Sequence, residues 1–293
     1  MSHIPGPFII EPSLRHTHSL ILLHGLGSNG HKFGQELTET AICSNGQAIT
    51  EALPNVRFIF PTAKRRRSSA FGRSMLTQWF DIASLDDPSY RSHTQIQGIE
   101  ESYRHLLHLI DQESAQISRK NLFLGGLSQG CAIALVTLLT LPFPLGGFIG
   151  MSGWLPFQQE IEEAAQPGDA HGGSDPDEED PFENPFGDEE LIPKQDLRGA
   201  EPIVGVNEFT RDLISSNSSG TLSRERSAIL TPVLLGHGDV DTKVKPILGE
   251  TVYNTLKLCG FDVSWEVYEG QGHWYKIPDQ IDDIYEFLRS KMK

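Results

Sequence analysis

A serine lies between two glycines at residues 126–130, which read Gly-Leu-Ser-Gln-Gly. The apolar run before this motif predicts a short strand, and the Ala, Ile and Leu residues that follow Cys131 predict a helix. A serine at the apex of a sharp strand-to-helix turn has a strained backbone. The residues two before and two after it must have almost no side chain, because the strand and the helix approach each other closely there. Gly126 and Gly130 meet this demand. We therefore interpret Ser128 as a nucleophile, and the alternative is a glycine-rich turn that contains serine by chance.

A serine hydroxyl is a weak nucleophile at neutral pH and needs an imidazole base, which in turn needs a carboxylate to fix its tautomer. When the serine stands on a turn of this kind, the order along the chain is serine, acid, histidine. Of the eleven histidines, His171, His237 and His273 follow the serine. His171 lies in an acidic tract, and His237 precedes the candidate acids at the end of its own strand. His273 is therefore the predicted general base.

Two candidate acids, Asp239 and Asp241, follow the strand predicted at residues 229–235. Both lie in one short loop that precedes His273 in the chain. Two residues of the same type in one loop are nearly equivalent on pattern alone, and one of them is expected to be a loop-capping aspartate. The pattern by itself leaves the choice between them open.

Apolar runs that alternate with helical patterns predict a mostly parallel sheet. The runs at 19–24 and 56–60 enclose a helix predicted at 33–50, which makes a first strand–helix–strand unit. Apolar residues at helical spacing from Ile96 to Ile110 predict a helix that leads into the strand before the serine. The further predicted elements are a strand at 145–151, a strand at 229–235, a helix at 245–258, a strand at 261–268 and a helix at 278–292.

The alternation breaks down between residues 158 and 227, where the chain is rich in Pro, Gly, Asp, Glu and Ser. Ten acidic residues and no Lys or Arg lie between Gly168 and Glu190. A structureless loop of this length is uncommon inside a compact domain, and its composition is typical of disorder. We expect one α/β domain over residues 1–293 that contains an acidic, low-complexity, disordered insertion at 158–227.

Two other groups of residues bear on possible ligands. Residues 62–88 are expected to be irregular, and their short basic run at 64–67 favours a solvated loop over a surface for anionic partners. His105 and His108 stand three residues apart on a predicted helix, but no carboxylate or thiol pattern completes a metal site. No metal or cofactor is expected.

Composition and termini limit the class of protein. The formal net charge of −15 argues against a nucleic-acid binder. Cys43, Cys131 and Cys259 are widely spaced and cannot all pair within the chain, which fits a reducing compartment. The first residues show no signal-peptide pattern, and no later run approaches the ~20 apolar residues of a membrane span. We expect a cytoplasmic protein, with the nucleus as a second location, and the sequence leaves its oligomeric state open.

Six ordered motifs together resemble the acyl-protein thioesterase and phospholipase/carboxylesterase family of α/β-hydrolases. The resemblance covers residues 19–156 and the chain from 229 to the end. It implies hydrolysis of thioesters on S-acylated proteins, of lysophospholipids or of simple carboxylic esters, without a cofactor. The motifs are Leu-His-Gly-Leu-Gly at 23–27, Trp-Phe-Asp at 79–81, the serine motif at 126–130, Ser-Gly-Trp-Leu-Pro at 152–156, His-Gly-Asp-Val-Asp at 237–241 and Gly-His at 272–273.

The resemblance also implies roles for individual residues. The acid of the family is the second aspartate of its His-Gly-x-x-Asp motif, which corresponds to Asp241. The backbone N–H groups of Leu26 and Gln129 correspond to its oxyanion hole, and His24 is then a scaffold residue of the turn that holds Leu26. The expected substrate-binding residues are Trp79, Trp154 and Leu155.

Two features depart from the family pattern: the long segment at 158–227, and the lack of a cysteine near the N-terminus, where lipidated thioesterases carry one. They leave the substrate and any transient membrane contact open. One alternative is a small-molecule carboxylesterase of a secondary-metabolite pathway, in which the insertion reshapes the acyl groove. Another is a noncatalytic binding protein that presents the acidic segment to basic partners, against which the retention of serine, aspartate and histidine speaks.

Overall fold

The computed structural model describes residues 5–166, 202–214 and 227–292. Its strands are β1 (Phe8–Ile10), β2 (His18–Leu23), β3 (Val56–Phe60), β4 (Arg65–Ser68), β5 (Ser74–Thr77), β6 (Leu122–Leu127), β7 (Gly147–Met151), β8 (Val233–Gly238) and β9 (Val263–Tyr268). Seven of them form one sheet in the order β1-β3-β2-β6-β7-β8-β9. Neighbours in this sheet are parallel except β1 and β3. The prediction of a mostly parallel α/β sheet is confirmed.

Helices cover both faces of this sheet. They are α1 (Gly30–Thr40), α2 (Ile49–Ala52), α3 (Ile96–Ser114), α4 (Gln129–Thr140), α5 (Gln158–Ala165), α6 (Pro202–Leu213), α7 (Pro246–Leu258) and α8 (Asp279–Lys291). Side chains of α3, α4, α6 and α7 join one hydrophobic cluster, and those of α1, α2 and α8 join a second. A parallel sheet needs cover on both faces because its crossover helices lie there. The central strand β6 is accordingly buried at every residue.

Helix α4 is the most enclosed of the helices. Every residue from Gln129 to Thr140 is buried, as expected for a helix that is hydrophobic all round. It packs against β6 and lies between α3 and α6. Its first residue directly follows Ser128, so the N-terminus of a rigid, buried helix adjoins the candidate nucleophile.

The parallel register gathers the candidate residues at one edge of the sheet. The loops that follow β2, β6, β8 and β9 all leave from the carboxyl ends of neighbouring parallel strands, and ligands of open α/β sheets bind at that edge. Leu26, Ser128, Asp241 and His273 lie in these four loops. The topology therefore brings together residues that are up to 247 positions apart in the chain.

The helix predicted at 33–50 is in fact two helices. Helix α1 ends at Thr40, and α2 begins at Ile49. Between them the chain makes a tight turn in which Gly46 has a φ of +83° and Ile42 pairs with Ala48. The Asn-Gly pair at 45–46 is a turn signal that outweighs the apolar pattern on either side.

The stretch at 62–88, expected to be irregular, contains the antiparallel hairpin of β4 and β5. The basic run at 64–67 therefore lies mainly on a strand. Nζ of Lys64 lies 2.9 Å and Nη1 of Arg66 lies 2.8 Å from Oε2 of Glu101. Because alternate side chains of a strand point to opposite faces, half of this positive charge is paired with α3 while the other arginines of the run are exposed.

The disorder expected at 158–227 is wrong for residues 158–165 and 202–213, because α5 and α6 lie there. The two helices pack against each other, and Ile161 and Val206 have no exposed surface. Ile161 and Ala165 are four residues apart and share the buried face of α5. The surrounding acidic composition hides this short amphipathic pattern. Residues 167–201 and 215–226 of the predicted insertion lie outside the described residues.

We expect Ile161→Ala to lower the free energy of unfolding by about 2–5 kcal/mol, because the substitution empties space in a packed core. Denaturant unfolding followed by circular dichroism measures this change. Glu160→Ala is the matched control on the exposed face of α5, with an expected effect within about 0.5 kcal/mol. Equal stability of the two variants would show that α5 is not part of the folded core.

Candidate active site

Ser128 occupies the sharp turn between β6 and α4. Its backbone has φ 57° and ψ −123°, a conformation that a residue with a side chain adopts only under strain. Its N–H donates to the carbonyl oxygen of Met151 at 2.9 Å, which fastens the turn to β7. A Cβ at Gly126 would lie 2.5 Å from the carbonyl carbon of Gly130, and a Cβ at Gly130 would lie 2.3 Å from the carbonyl oxygen of Leu23. Both glycines are therefore required for the close approach of strand and helix.

A chain of hydrogen bonds joins Ser128, His273 and Asp241. Nε2 of His273 lies 2.9 Å from Oγ of Ser128. Nδ1 of the same ring lies 2.7 Å from Oδ2 of Asp241. Because an ionised carboxylate only accepts hydrogen bonds, Nδ1 carries the proton of the neutral ring. Nε2 is then free to accept the proton of the serine hydroxyl.

Several donors hold the carboxylate of Asp241. Oδ1 accepts hydrogen bonds from the backbone N–H of Lys243 at 2.8 Å and of Val244 at 3.0 Å. Burial alone would raise the pKa of Asp241, but interactions with His237, His273 and the N–H of Val244 outweigh it and hold the pKa well below its usual range. Asp241 is therefore ionised throughout the neutral pH range.

Asp239 has a different position. Its carboxylate is exposed and accepts a hydrogen bond from the N–H of Gly270 at 2.7 Å. It therefore fastens the loop after β8 to the loop after β9, as expected of a loop-capping aspartate. The structure thus separates the two aspartates that the sequence pattern left equivalent, since Asp241 faces His273 and Asp239 does not.

The turn after β2 is held by His24. Nδ1 of His24 lies 2.7 Å from the carbonyl oxygen of Gly25, and Nε2 lies 3.1 Å from the backbone nitrogen of Ala63. Since a carbonyl only accepts and an N–H only donates, the ring is neutral with its proton on Nδ1. Burial lowers the pKa of His24 to about 4, so the ring stays neutral near pH 7. Leu26 follows directly on this fixed turn.

Gln129 and Trp79 connect that turn to α4. Oε1 of Gln129 accepts from the N–H of Trp79 at 3.0 Å, and its Nε2 donates to the carbonyl of Phe80 at 2.8 Å. The indole N–H of Trp79 donates to the carbonyl of His24 at 2.8 Å. Trp79 has no exposed surface. Its hydrogen bonds stabilise the turn after β2.

A cavity of about 640 Å³ opens over Ser128. Leu26, Gln129 and His273 line it as well, so both expected oxyanion residues border the same space as the serine hydroxyl. Most of the remaining wall is apolar, and the volume is in the range of small-molecule sites. The apolar residues of the wall are Phe33, Phe71, Ile82, Leu85, Pro88, Leu127, Trp154, Val244 and Trp274.

The three expected substrate-binding residues take different positions. Trp154 lines the cavity over the serine, whereas Trp79 and Leu155 do not border it. Leu155 borders a second cavity of about 450 Å³, which shares Trp154 and Pro88 with the first.

The sequence analysis did not single out Phe71, Ile82 or Leu85, which lie in the stretch expected to be irregular. Ile82 is buried, whereas Phe71 and Leu85 are 43% and 36% exposed at the cavity. The available signal was the occurrence of several large apolar side chains within one short polar stretch of chain, because an exposed apolar patch often marks a binding site.

Three other findings concern the described residues. Within 5–166, 202–214 and 227–292, no group of three or more His, Cys, Asp or Glu side chains is placed to hold a metal ion. In the same part of the chain, no helix is both long and apolar enough to span a bilayer. Cys131 lies one turn after Ser128, but burial raises the pKa of its thiol to about 12, which makes it a poor nucleophile.

Known proteins are similar to this chain over most of its length. Residues 4–177 match the phospholipase/carboxylesterase family. Acyl-protein thioesterase 1 of Gibberella zeae is 26% identical over 290 residues, which cover 98% of this chain and 96% of that protein. Acyl-protein thioesterase 1 of Saccharomyces cerevisiae is 26% identical over 282 residues, which cover 94% and 92% of the two chains. The crystal structure of Zea mays acyl-protein thioesterase 2 has a TM-score of 0.64 at 25% identity, covering 99% of this chain and 100% of that one.

The family match includes more than half of the chain, with the turn after β2 and the serine turn inside it. The whole-chain similarities extend to the loops after β8 and β9, which hold Asp241 and His273. The structural likeness confirms the predicted α/β-hydrolase fold. The chain therefore belongs to the phospholipase/carboxylesterase family of α/β-hydrolases and is a hydrolase.

Proposed function

We propose that this hydrolase cleaves long-chain acyl thioesters, with S-acylated proteins as substrates, through an acyl-enzyme on Ser128. The observation that carries the proposal is the hydrogen-bond chain from Ser128 through His273 to Asp241, beside an apolar cavity of about 640 Å³. The whole-chain similarity to acyl-protein thioesterases supports the thioester class. Lysophospholipids and simple esters are further substrates that the same chemistry accepts.

In the acylation step, Oγ of Ser128 attacks the acyl carbonyl carbon while Nε2 of His273 takes the hydroxyl proton. The ionised Asp241 keeps the proton of neutral His273 on Nδ1 and stabilises the imidazolium that forms. The N–H groups of Leu26 and Gln129 donate to the negative oxygen of the tetrahedral intermediate. The thiol or alcohol then leaves with the proton from His273, and the acyl group remains on the serine.

In the deacylation step, His273 takes a proton from a water molecule, which attacks the carbonyl carbon of the acyl-serine. Collapse of the second tetrahedral intermediate returns the proton to Oγ of Ser128 and releases the fatty acid. The apolar wall of the cavity would hold the acyl chain in both steps. Each buried CH₂ group is worth about 0.8 kcal/mol, so we expect kcat/KM to rise with chain length until the cavity is filled.

We also propose a cytoplasmic location, with the nucleus as a second one. Cys43, Cys131 and Cys259 are all free and buried, which suits a compartment that keeps thiols reduced. Long acyl chains partition into bilayers, so the proposed substrates require transient contact with membranes. Fractionation of cells that express the tagged chain tests the location, and recovery in a secreted fraction would contradict it.

Ser128→Ala is expected to lower kcat by at least about 10³-fold and to abolish labelling by a fluorophosphonate probe, because the nucleophilic oxygen is gone. The change keeps Cβ and should preserve the fold. Turnover of an acyl thioester, labelling and circular dichroism are the measurements. Cys131→Ala is the control that should still react with the probe.

A folded Ser128→Ala protein with more than about 1% of the wild-type turnover would rule out Ser128 as the nucleophile. Absence of labelling in the wild type would favour a noncatalytic binding protein.

Asp241→Asn is expected to lower kcat by about 10³-fold or more, because the amide no longer stabilises the charged imidazole or fixes its tautomer. Asp239→Asn should stay within about threefold of the wild type, since its amide oxygen can still accept from Gly270. Steady-state kinetics on one thioester ranks the two variants. The reverse ranking would reassign the acid and leave the roles of the serine and the histidine intact.

Leu85→Ser is expected to lower kcat/KM for a long acyl chain by about 3–10-fold and to leave a four-carbon chain nearly unchanged, because apolar contact at the cavity is lost. Leu14→Ser is the matched control, since Leu14 is exposed in the loop before β2, at the opposite edge of the sheet. Kinetics on thioesters and oxygen esters of increasing length provide the measurement. A uniform loss over all lengths would argue against an acyl site here, and a preference for short esters in the wild type would favour a small-molecule carboxylesterase.

A further inference from the structure

His237 lies in β8, four residues before Asp241, and its side chain has no exposed surface. Nε2 of His237 lies 2.8 Å from the carbonyl oxygen of Val244 and 3.3 Å from Oδ2 of Asp241. Both neighbours are acceptors, so Nε2 carries a proton that points between them.

Nδ1, on the other side of the His237 ring, is enclosed by protein. Nδ1 is buried and has no hydrogen-bond partner among the described residues. Helix α7 packs directly on it, because a Cβ at Gly249 would lie 2.4 Å from Nδ1. A proton on Nδ1 would be a buried donor without an acceptor, which costs about 1–3 kcal/mol. The ring is therefore held in one place and, when neutral, has its proton on Nε2.

His237, Val244 and Asp241 are joined to one another by polar contacts. The N–H of Val244 donates to Oδ1 of Asp241 at 3.0 Å, while the carbonyl of the same residue accepts from His237. Val244 is thus held through both of its backbone polar groups. The N–H of His237 also places positive partial charge beside Oδ2, the oxygen that accepts from His273.

We propose that His237 is a positioning residue for hydrolysis, which holds the loop at 241–244 so that Oδ2 of Asp241 stays in line with Nδ1 of His273. This inference rests on the catalytic roles proposed above. His237 does not border the substrate cavity, so its loss should lower kcat and leave KM nearly unchanged. It never touches the reacting atoms and acts only through Asp241.

Three substitutions separate the hydrogen bond from packing. His237→Gln can place an amide N–H near the position of Nε2, and we expect its kcat within about threefold of the wild type. His237→Asn has the same amide on a side chain one methylene shorter, and His237→Met fills similar volume without a donor. For both we expect kcat about tenfold lower or more with KM within about twofold, because small displacements of catalytic groups are costly. Thermal unfolding identifies the variants that fold, and either the Asn or the Met variant suffices for the test.

The decisive measurement repeats His237→Asn and His237→Met in the Asp241→Asn background. If His237 acts through Asp241, they should cause no further loss of kcat there, whereas independent effects would multiply. Equal losses in both backgrounds, a change in KM alone, or equal kcat for the Gln and Asn variants would overturn the proposal.

If Asp241→Asn alone left kcat at the wild-type value, the proposed catalytic triad itself would fail. If Asp241→Asn lost most of its kcat while His237→Asn and His237→Met kept the wild-type kcat, only the role of His237 would fail.

Discussion

The backbone of β2 passes so close to Gly130 that no side chain fits there. A Cβ at Gly130 would lie 2.3 Å from the carbonyl oxygen of Leu23 and 2.6 Å from that of His24. This contact joins the start of α4 to the turn after β2, so it sets the distance between the serine and the residues expected to bind the oxyanion. A Cβ at Gly25 would lie 3.4 Å from the Cβ of Ser128, so these two residues are also in close contact. Two parts of the site that are more than 100 residues apart in the chain are thus positioned by steric exclusion, which leaves little freedom for relative movement.

The part of the site that holds Asp241, the proposed acid, is positioned by polar contacts instead. Asp241, in the loop after β8, is held by N–H donors from its own loop and by two imidazoles. Hydrogen bonds to a buried charge strengthen one another in a low dielectric, but each buried donor or acceptor that lacks a partner lowers the stability of the fold. The proposed base and acid can therefore be aligned by side-chain contacts on loops, while the strained serine needs the rigid frame of β6 and α4.

The sequence predicted the features that depend on local sterics and on chain order, and missed those that depend on which loops meet. Glycine spacing placed Ser128 on its turn, and the order serine, acid, histidine selected His273. The choice between Asp239 and Asp241 depends on contacts with Gly270 and with His273, about 30 positions away, and pattern alone does not contain that pairing. Trp79 was expected to bind the substrate, yet its side chain is buried and its indole N–H donates to the carbonyl of His24 in the turn after β2. Helix α5 was missed because acidic composition masks a pattern of two buried positions.

Three histidines surround the site, and hydrogen bonding divides their tasks. Both ring nitrogens of His24 are engaged with backbone groups, and burial lowers its pKa to about 4. The Nε2 of His237 faces two acceptors, and its Nδ1 is enclosed. A second proton on either ring would break a backbone contact or leave a donor unmet. His273 differs because its Nε2 faces a hydroxyl that can give up a proton while Nδ1 keeps its bond to Asp241. Of the three rings, it alone can cycle its charge without disturbing the frame that aligns it, so the geometry favours the same base as the chain order for an independent reason.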